Sequence, residues 1–261
     1  MQAFVRAPTV AAMILLKTID PAVPHAGHRA ACGACHACDV RTMAVCAALE
    51  PDEIGALESI MTARRLAGDE TLVEEGEPRR RVYSLTSGML RLVNGLPDGR
   101  RQITGFLMPG DFLGLADDGV YSASAEAVTP SALCSFPVAG MDALAVRFPK
   151  LNDRLFAFTR AALRRSRENQ MILGRLAPVE KLSTFLLMLS QRAVEHHLPA
   201  DPVAIPMSRA DIADYLGLTI ETVSRSFTKL RNQGLIDLPD ARLVEIRDRK
   251  ALEAVAGTLR A

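Results

Sequence analysis

This sequence of 261 residues lacks a long apolar run, a strong net charge, a catalytic constellation and a disulfide framework. Each absence argues against one class of protein or one line of evidence for it. No apolar run approaches the roughly 18 residues of a membrane helix, and the apolar stretch at residues 11–16 is too short and lacks a clear export cleavage site. The formal net charge is only +1, so no general basic field argues for nucleic acid binding. No constellation of catalytic side chains stands out, which argues against an enzyme. We expect a cytosolic protein that does not contact membranes.

A disulfide framework is also missing, although four of the five cysteines fall within 15 residues. Cys32, Cys35, Cys38 and Cys46 have the spacing C-x2-C-x2-C-x7-C, which lets neighbouring thiolates converge on one metal centre. A structural zinc site more usually has two well separated pairs, so we favour an iron–sulfur cluster. The run lacks the x3-C-P ending of a bacterial ferredoxin.

What the chain does contain is enough apolar residues, 49%, to form real cores. Residues 1–31 have three prolines and no sustained periodicity, so we expect a poorly ordered leader. Residues 49–148 have short apolar runs separated by regularly spaced glycines, which predicts a small antiparallel barrel or roll.

Residues 207–236 have the pattern of two short helices joined by a tight turn. Ser208 is a good N-cap residue, and Asp211 follows it at the spacing of a capping box. Gly217 marks the turn, because glycine enters positive φ without cost, and Thr219 can cap the second helix. The pattern predicts a helix-turn-helix.

The second of these helices has an apolar and a polar face, and a β-hairpin pattern follows it, which predicts the wing of a winged helix. The helical spacing predicts a buried face at Ile220, Val223, Phe227 and Leu230. The residues predicted to point outward are Glu221, Ser224, Arg225, Thr228 and Asn232. A major groove admits one α-helix, so this outer face is either a DNA reader or an ordinary solvated surface.

Candidate DNA-binding residues lie near the start of the second helix. A carboxylate at Glu221 can accept from cytosine, Arg225 can bind guanine with two hydrogen bonds, and Ser224 can contact several bases. Each good pair is worth roughly 1–3 kcal/mol of discrimination. Lys229 is a candidate phosphate contact, and Ser208 is a further candidate DNA contact.

A long helical pattern extends from residue 149 to about residue 176. Residues at alternating spacings of three and four have the pattern of a two-helix seam, which predicts either a dimerisation helix or a plain intramolecular helix. Half of the seam is polar, so pairing through it would be weak and switchable. The seam positions are Phe156, Thr159, Leu163, Ser166, Gln170 and Leu173.

Three segments of the predicted roll resemble the cyclic-nucleotide-binding β-roll of the CRP/FNR superfamily, and the order of roll, long helix and winged helix matches as well. The resemblance implies an α+β fold with an N-terminal β-roll, a long dimerisation helix and a C-terminal winged helix-turn-helix. The implied domains are residues 32–148, 149–176 and 177–261. The matching segments are residues 70–78, 82–92 and 102–114.

Within that superfamily the sequence resembles the oxygen-sensing FNR type, with its FnrN- and FixK-like relatives. Nucleotide-binding members hold the phosphate with an arginine that the stretch 113–125 lacks, which argues against a cyclic nucleotide. The resemblance implies a [4Fe–4S] cluster on Cys35, Cys38, Cys46 and Cys134, with Cys32 as the spare thiol or an alternative ligand.

The implied function is a homodimeric, oxygen-responsive transcription regulator of anaerobic or microaerobic genes. The E-x-x-S-R pattern at residues 221–225 resembles the FNR-type reader, which implies palindromic double-stranded DNA with half-sites like TTGAT. The exposed turn expected at residues 96–100 is a candidate contact for RNA polymerase. The alternatives are a cluster-free FixK-like or small-ligand-gated regulator, a zinc-stabilised regulator, and an iron–sulfur electron carrier.

Overall fold

The computed structural model describes residue 35, residues 38–196 and residues 198–257. The predicted leader at residues 1–31 and the thiol of Cys32 lie outside the described residues. Within these ranges, none of the helices is both long and apolar enough to span a bilayer.

Eight antiparallel strands form a β-roll, as the sequence predicted. They build two four-stranded sheets in the orders β1-β8-β3-β6 and β2-β7-β4-β5. Apolar residues of both sheets share one core, in which Leu85, Leu90 and Leu133 are fully buried. The strands are β1 Thr62–Leu66, β2 Thr71–Val73, β3 Arg81–Ser87, β4 Leu90–Gly95, β5 Arg101–Leu107, β6 Phe112–Leu113, β7 Ser124–Ala127 and β8 Ser131–Pro137.

Helical segments that the sequence analysis did not identify flank the roll. They are a 3₁₀ helix at Val45–Ala48, α1 at Ile54–Ile60 and α2 at Val138–Arg147. Together with the start of the next helix they form a second core against the outer face of the β1-β8-β3-β6 sheet. Short helices that bury only a few residues have too little periodicity to stand out in the sequence.

A single long helix, α3, runs from Pro149 to Arg175. Proline occupies its first turn, where the missing N–H costs nothing. Only three of its 27 residues are buried, so most of its surface is available to a partner.

The carboxyl-terminal part is a winged helix-turn-helix, again as predicted. The wing hairpin pairs with a short strand, β9, that the sequence did not reveal, in the order β10-β11-β9. Phe185, Ile212 and Val223 are fully buried in its core. The elements are α4 Pro178–Glu195, β9 Val203–Ala204, α5 Arg209–Leu216, α6 Ile220–Asn232, β10 Ile236–Asp240, β11 Leu243–Ile246 and α7 Arg249–Val255.

Candidate DNA-reading helix and cysteine centre

The turn between α5 and α6 is fixed by local hydrogen bonds that the sequence predicted. The backbone N–H of Asp211 donates to Ser208 Oγ at 3.0 Å, and the N–H of Ser208 donates to Asp211 Oδ2 at 2.9 Å. Gly217 ends α5 in the left-handed region at φ 61°. Thr219 caps α6 by accepting from the N–H of Thr222 at 3.2 Å. These contacts set the angle at which α6 leaves the turn.

The inner face of α6 is buried at Val223, Phe227 and Leu230, as predicted. The prediction that Ile220 belongs to this face was wrong, because its side chain is 48% exposed. Ile220 is the first residue of the helix, and helical spacing does not reveal that the core ends before it.

The outer face of α6 is exposed, and we call it the reading face. It presents one carboxylate, one guanidinium, one ammonium and two hydroxyl groups, with no apolar side chain among them. This mixture matches the donors and acceptors of base edges and phosphates. Its members are Glu221, Ser224, Arg225, Thr228 and Lys229.

The two charged side chains at the start of the reading face, Glu221 and Arg225, interact with groups in the first turn of α6 and its cap. The pKa of Glu221 is lowered, first by its own backbone N–H, then by the Thr219 hydroxyl and by the charge of Arg225. Arg225 Nη2 donates to Thr222 Oγ1 at 3.3 Å. Ser208, the further candidate DNA contact, is also exposed. Its hydroxyl donates to Asp211 Oδ2 at 2.7 Å, so this group is already engaged in the helix cap.

The roll holds α5 from outside the winged helix. Arg101 bridges two carboxylates of this helix, Asp211 at 3.2 Å and Asp214 at 2.6 Å. Arg91 lies 3.3 Å from the buried carboxylate of Asp211. Gln102 Nε2 donates to the Asp214 carbonyl oxygen at 2.5 Å, near the end of α5. Side chains of β4 and β5 therefore contact the helix that precedes the reading face.

A second junction joins the β5–β6 turn to α4. Arg192 of α4 pairs with Asp111 and donates from Nη1 to the Phe106 carbonyl oxygen at 2.8 Å. At Gly110, with φ 97°, a Cβ atom would lie 3.1 Å from Met43 Cβ and 3.6 Å from His196 Nδ1. The turn is packed between the amino-terminal segment and α4.

Four cysteines line one cavity beside the roll. Cys134 is on β8, opposite Ser84 of β3, and strand alternation directs it away from the inner core to which its neighbour Leu133 belongs. Cys46 lies in the 3₁₀ helix, and Cys35 and Cys38 precede it. We call Cys35 and residues 38–49 the cysteine segment.

Burial makes three of these thiols weak acids. Desolvation is the first cause that raises the pKa of Cys35, Cys46 and Cys134, the last to about 12. Neighbouring thiols contribute as well, since Cys38 raises the pKa of both Cys46 and Cys134. Mutual influence of this kind requires that the four sulfurs lie close together.

The donor set consists of four thiols, and soft sulfur donors suit an iron–sulfur cluster. In the described part of the chain, no three His, Cys, Asp or Glu side chains are arranged to hold one metal ion. A cluster spaces its four thiolates farther apart than one ion does, and soft sulfur donors suit it. The remaining walls are mostly aliphatic, including Val40, Val45 and Leu57, so they limit access of water to the sulfurs.

The cysteine segment contacts the start of α3 directly. Arg154 Nη2 donates to the carbonyl oxygen of Met43. Lys150 Nζ lies 2.6 Å from Glu50 Oε1 just after the segment, and this pair lowers the pKa of Glu50 and raises that of Lys150. A hydrogen bond and a neighbouring ion pair therefore connect the region of the cysteine segment to the start of α3.

The predicted seam on α3 is mostly uncovered in the described chain. Phe156 is 58% and Leu163 is 52% exposed, so two large apolar side chains of the predicted seam face solvent in this chain. Ser166 and Gln170, which follow Leu163 along the helix, are also exposed. Thr159 is half-buried and donates to the Leu155 carbonyl oxygen, while Leu173 packs near the turn at Gly217.

The interior of the roll is filled by its own side chains. Tyr121 is buried, and its hydroxyl donates to the Arg81 carbonyl oxygen at 2.7 Å. Sequence reasoning found no arginine in the stretch 113–125, but Arg79 Nη1 reaches the Gly114 carbonyl oxygen at 3.1 Å from another part of the chain. This guanidinium therefore donates a hydrogen bond to the backbone of the roll.

Comparison with known proteins decides the family. The Crp-like helix-turn-helix domain matches residues 180–255, and the cyclic nucleotide-binding domain matches residues 63–147. The chain is 40% identical over 202 residues to the nitrogen fixation regulation protein FixK of Bradyrhizobium diazoefficiens, an alignment that covers 77% of this chain and 85% of that protein. The chain belongs to the CRP/FNR family of transcription regulators.

Two further members are similar over most of their length. The transcriptional activatory protein AadR of Rhodopseudomonas palustris is 39% identical over 220 residues, which cover 84% of this chain and 91% of AadR. The structure of FixK2 from Bradyrhizobium japonicum superposes with a TM-score of 0.72 at 34% identity, covering 77% of this chain and all of FixK2. CRP/FNR regulators bind DNA and act as dimers.

Sequence reasoning missed the side chains that connect the parts of this CRP/FNR regulator. Arg91, Arg101 and Arg192 contact residues between 81 and 120 positions away. Glu58 of α1 lines the cysteine cavity but was not a candidate, because α1 itself was not predicted. No local pattern encodes such contacts.

Proposed function

We propose that this protein is an oxygen-responsive transcriptional activator that is switched by a [4Fe–4S] cluster on Cys35, Cys38, Cys46 and Cys134. The observation that supports it is the position of all four thiols around one cavity between the cysteine segment and the roll. The similarity to AadR supports the role of activator.

When bound, the cluster supplies an oxygen-sensitive cross-link between the cysteine segment and β8. Contacts within the chain connect the cross-linked cysteine segment to α3. Arg154 holds the backbone of Met43, and Lys150 pairs with Glu50, so a fixed cysteine segment fixes the start of α3. By thermodynamic linkage, cluster binding favours the pairing of two α3 helices only to the extent that the cluster binds the paired state more tightly than the unpaired state.

Pairing of α3 brings two reading faces to one side of a dimer. Two such helices bind half-sites one helical turn apart, roughly 34 Å, on a palindrome. Glu221, Ser224 and Arg225 are exposed at the start of α6, where side chains reach base edges. We infer half-sites of the TTGAT type.

The deciding experiment is anaerobic purification followed by an absorption spectrum, iron and sulfide assays, and DNA binding with and without air. The proposal expects iron and sulfide in equal amounts, a coloured protein, and palindrome binding that air abolishes. Replacement of Cys134 by Ser removes one ligand and is expected to abolish the colour. Zinc in air-purified protein would support the zinc-stabilised regulator instead.

A second candidate function is a cluster-free regulator like FixK, favoured by the 40% identity over 202 residues. Colourless, iron-free protein that pairs and binds its palindrome equally well with and without air would support this candidate. The exposed turn at residues 96–100, between β4 and β5, remains a proposed contact for RNA polymerase. Its Leu96 N–H donates to the Arg100 carbonyl oxygen at 2.8 Å, which closes the turn.

A further inference from the structure

Ser84 of β3 carries a buried hydroxyl group that has no partner within the described chain. The residue is 2% exposed, and no hydrogen bond to its Oγ atom is present in the described ranges. Buried hydroxyl groups nearly always have a partner, because removing them from water is costly. The position of Ser84 therefore calls for a group that could accept its hydrogen bond.

The register of the sheet places Ser84 beside Cys134. The two residues lie directly opposite each other in the antiparallel pair of β3 and β8. The next pair along these strands, Leu85 and Leu133, belongs to the inner core of the roll, so strand alternation directs Ser84 and Cys134 to the outer face. Opposite side chains of such a pair have Cβ atoms roughly 4.5–5.5 Å apart. Both residues line the cysteine cavity.

A second hydroxyl group on β3 lines the same cavity but is already engaged. Thr86 Oγ1 donates to the Ala132 carbonyl oxygen at 2.9 Å. Ser84 has no comparable acceptor, because β3 lies between β8 and β6 and pairs with both strands at this residue. The Ser84 hydroxyl is thus the group on this strand that can donate into the cavity.

We infer that the Ser84 hydroxyl donates a hydrogen bond to a sulfur of the cluster, either the Cys134 thiolate or the sulfide next to it, and so strengthens the hold of the site on the cluster. This inference rests on the proposed cluster. Cluster sulfurs carry negative charge, and a hydroxyl group that donates to a charged acceptor away from water forms a strong hydrogen bond. Hydrogen bonds to the sulfurs are one means by which a protein tunes such a cluster. Cluster binding then supplies the acceptor that Ser84 lacks in the cluster-free chain.

The experiment compares Ser84→Ala with wild type in two states of the full-length protein. In the anaerobically purified protein with its cluster, excess iron(II) chelator is added and absorbance is followed. We expect cluster loss to be about tenfold faster in Ser84→Ala, because a hydrogen bond to a charged acceptor is lost. In the cluster-free protein, the thermal midpoint should be unchanged or higher, because the substitution removes a buried hydroxyl group that has no partner.

The hydrogen bond itself has a spectroscopic signature. Exchange into D2O should shift the Fe–S stretching bands of the resonance Raman spectrum in wild type, and the shift should be smaller in Ser84→Ala. Thr86→Val is the matched control, because it removes a cavity-lining hydroxyl group that donates to the backbone. It should lower the midpoint of the cluster-free protein and leave the D2O shift unchanged.

The two levels of the proposal fail in different ways. If the wild-type protein carries the cluster, the inference is overturned by any one of three results in Ser84→Ala: an unchanged rate of cluster loss, an unchanged D2O shift, or a lower midpoint of the cluster-free protein. The last result would give Ser84 a purely structural role. Iron-free wild-type protein would overturn the proposed function, and this inference with it.

Discussion

Asp111 and Arg192 form an ion pair that is 5% and 6% exposed and joins the roll to the winged helix. Asp111 Oδ2 also accepts from the N–H of Met108 at 2.7 Å, and Arg165 of α3 lies 3.7 Å from Oδ1. One carboxylate therefore contacts the β5–β6 turn, the long helix and α4. Removing one member of such a pair leaves a buried charge without its partner.

We expect Arg192→Met to lower the free energy of unfolding by up to about 3–5 kcal/mol, because the buried Asp111 carboxylate would lose its shorter ion pair and keep only Arg165, 3.7 Å from Oδ1. Urea denaturation followed by circular dichroism measures this change. Arg164→Met is the control, because Arg164 is exposed and lies 3.8 Å from Glu168, a pair worth about 0.5 kcal/mol or less. Equal losses in the two variants would contradict the assigned role of the buried pair.

Arg91→Met is expected to loosen α5. Its guanidinium pairs with Glu126 at 2.8 Å and with Asp211 at 3.3 Å. In the variant, Arg101 is the remaining arginine that pairs with Asp211. Amide hydrogen exchange in α5 should become about tenfold faster, because one contact that opposes local opening is lost. Arg64→Met, which removes an exposed pair with Glu70 at 3.8 Å, should leave α5 unchanged. Unchanged exchange in both variants would rule out a clamp on α5.

Glu221→Ala and Lys229→Ala should weaken DNA binding in different ways. If Glu221 reads a base edge, its loss costs roughly 1–3 kcal/mol on the preferred half-site and relaxes the ranking of altered half-sites. Loss of a phosphate contact at Lys229 should weaken all sites alike and reduce the salt dependence. Binding to a panel of altered palindromes tests both effects. An identical ranking for wild type and Glu221→Ala would refute base reading by Glu221.

The polar seam on α3 predicts that dimerisation can be strengthened. Leucine at Ser166 and Gln170 would extend the apolar stripe of Phe156 and Leu163, so we expect the double variant to remain dimeric in air. Sedimentation velocity in air and under anaerobic conditions measures the outcome. Arg167→Leu adds an apolar group at a position outside the predicted seam and serves as the control. If the double variant sediments as the wild type does in both conditions, pairing does not use these positions.

The helix-turn-helix could be predicted closely because its signals are local. The cap at Ser208, the left-handed Gly217 and the cap at Thr219 each depend on residues within three or four positions. The same local logic failed at Ile220, since burial at a helix end depends on where the neighbouring elements stop.

The cysteine positions were predicted only in part by spacing. Cys35, Cys38 and Cys46 are close in sequence, so their spacing alone predicted a shared site. Cys134 is distant in sequence and was predicted only from the family resemblance. In the fold, Cys134 on β8 lines the same cavity as the cysteine segment. Glu58 could not be found, because nothing in its sequence neighbourhood marks a residue that faces sulfur. The charged contacts of Arg91 and Arg192 depend on the whole fold in the same way.

The close approach at Gly110 has a consequence for exchanging sensor modules among related regulators. A Cβ atom at Gly110 would lie 3.1 Å from Met43 Cβ and 3.6 Å from His196 Nδ1, and the φ of 97° also disfavours any residue but glycine there. A transplanted amino-terminal module must therefore match the shape of this turn and of α4 together, even where its metal chemistry is intact.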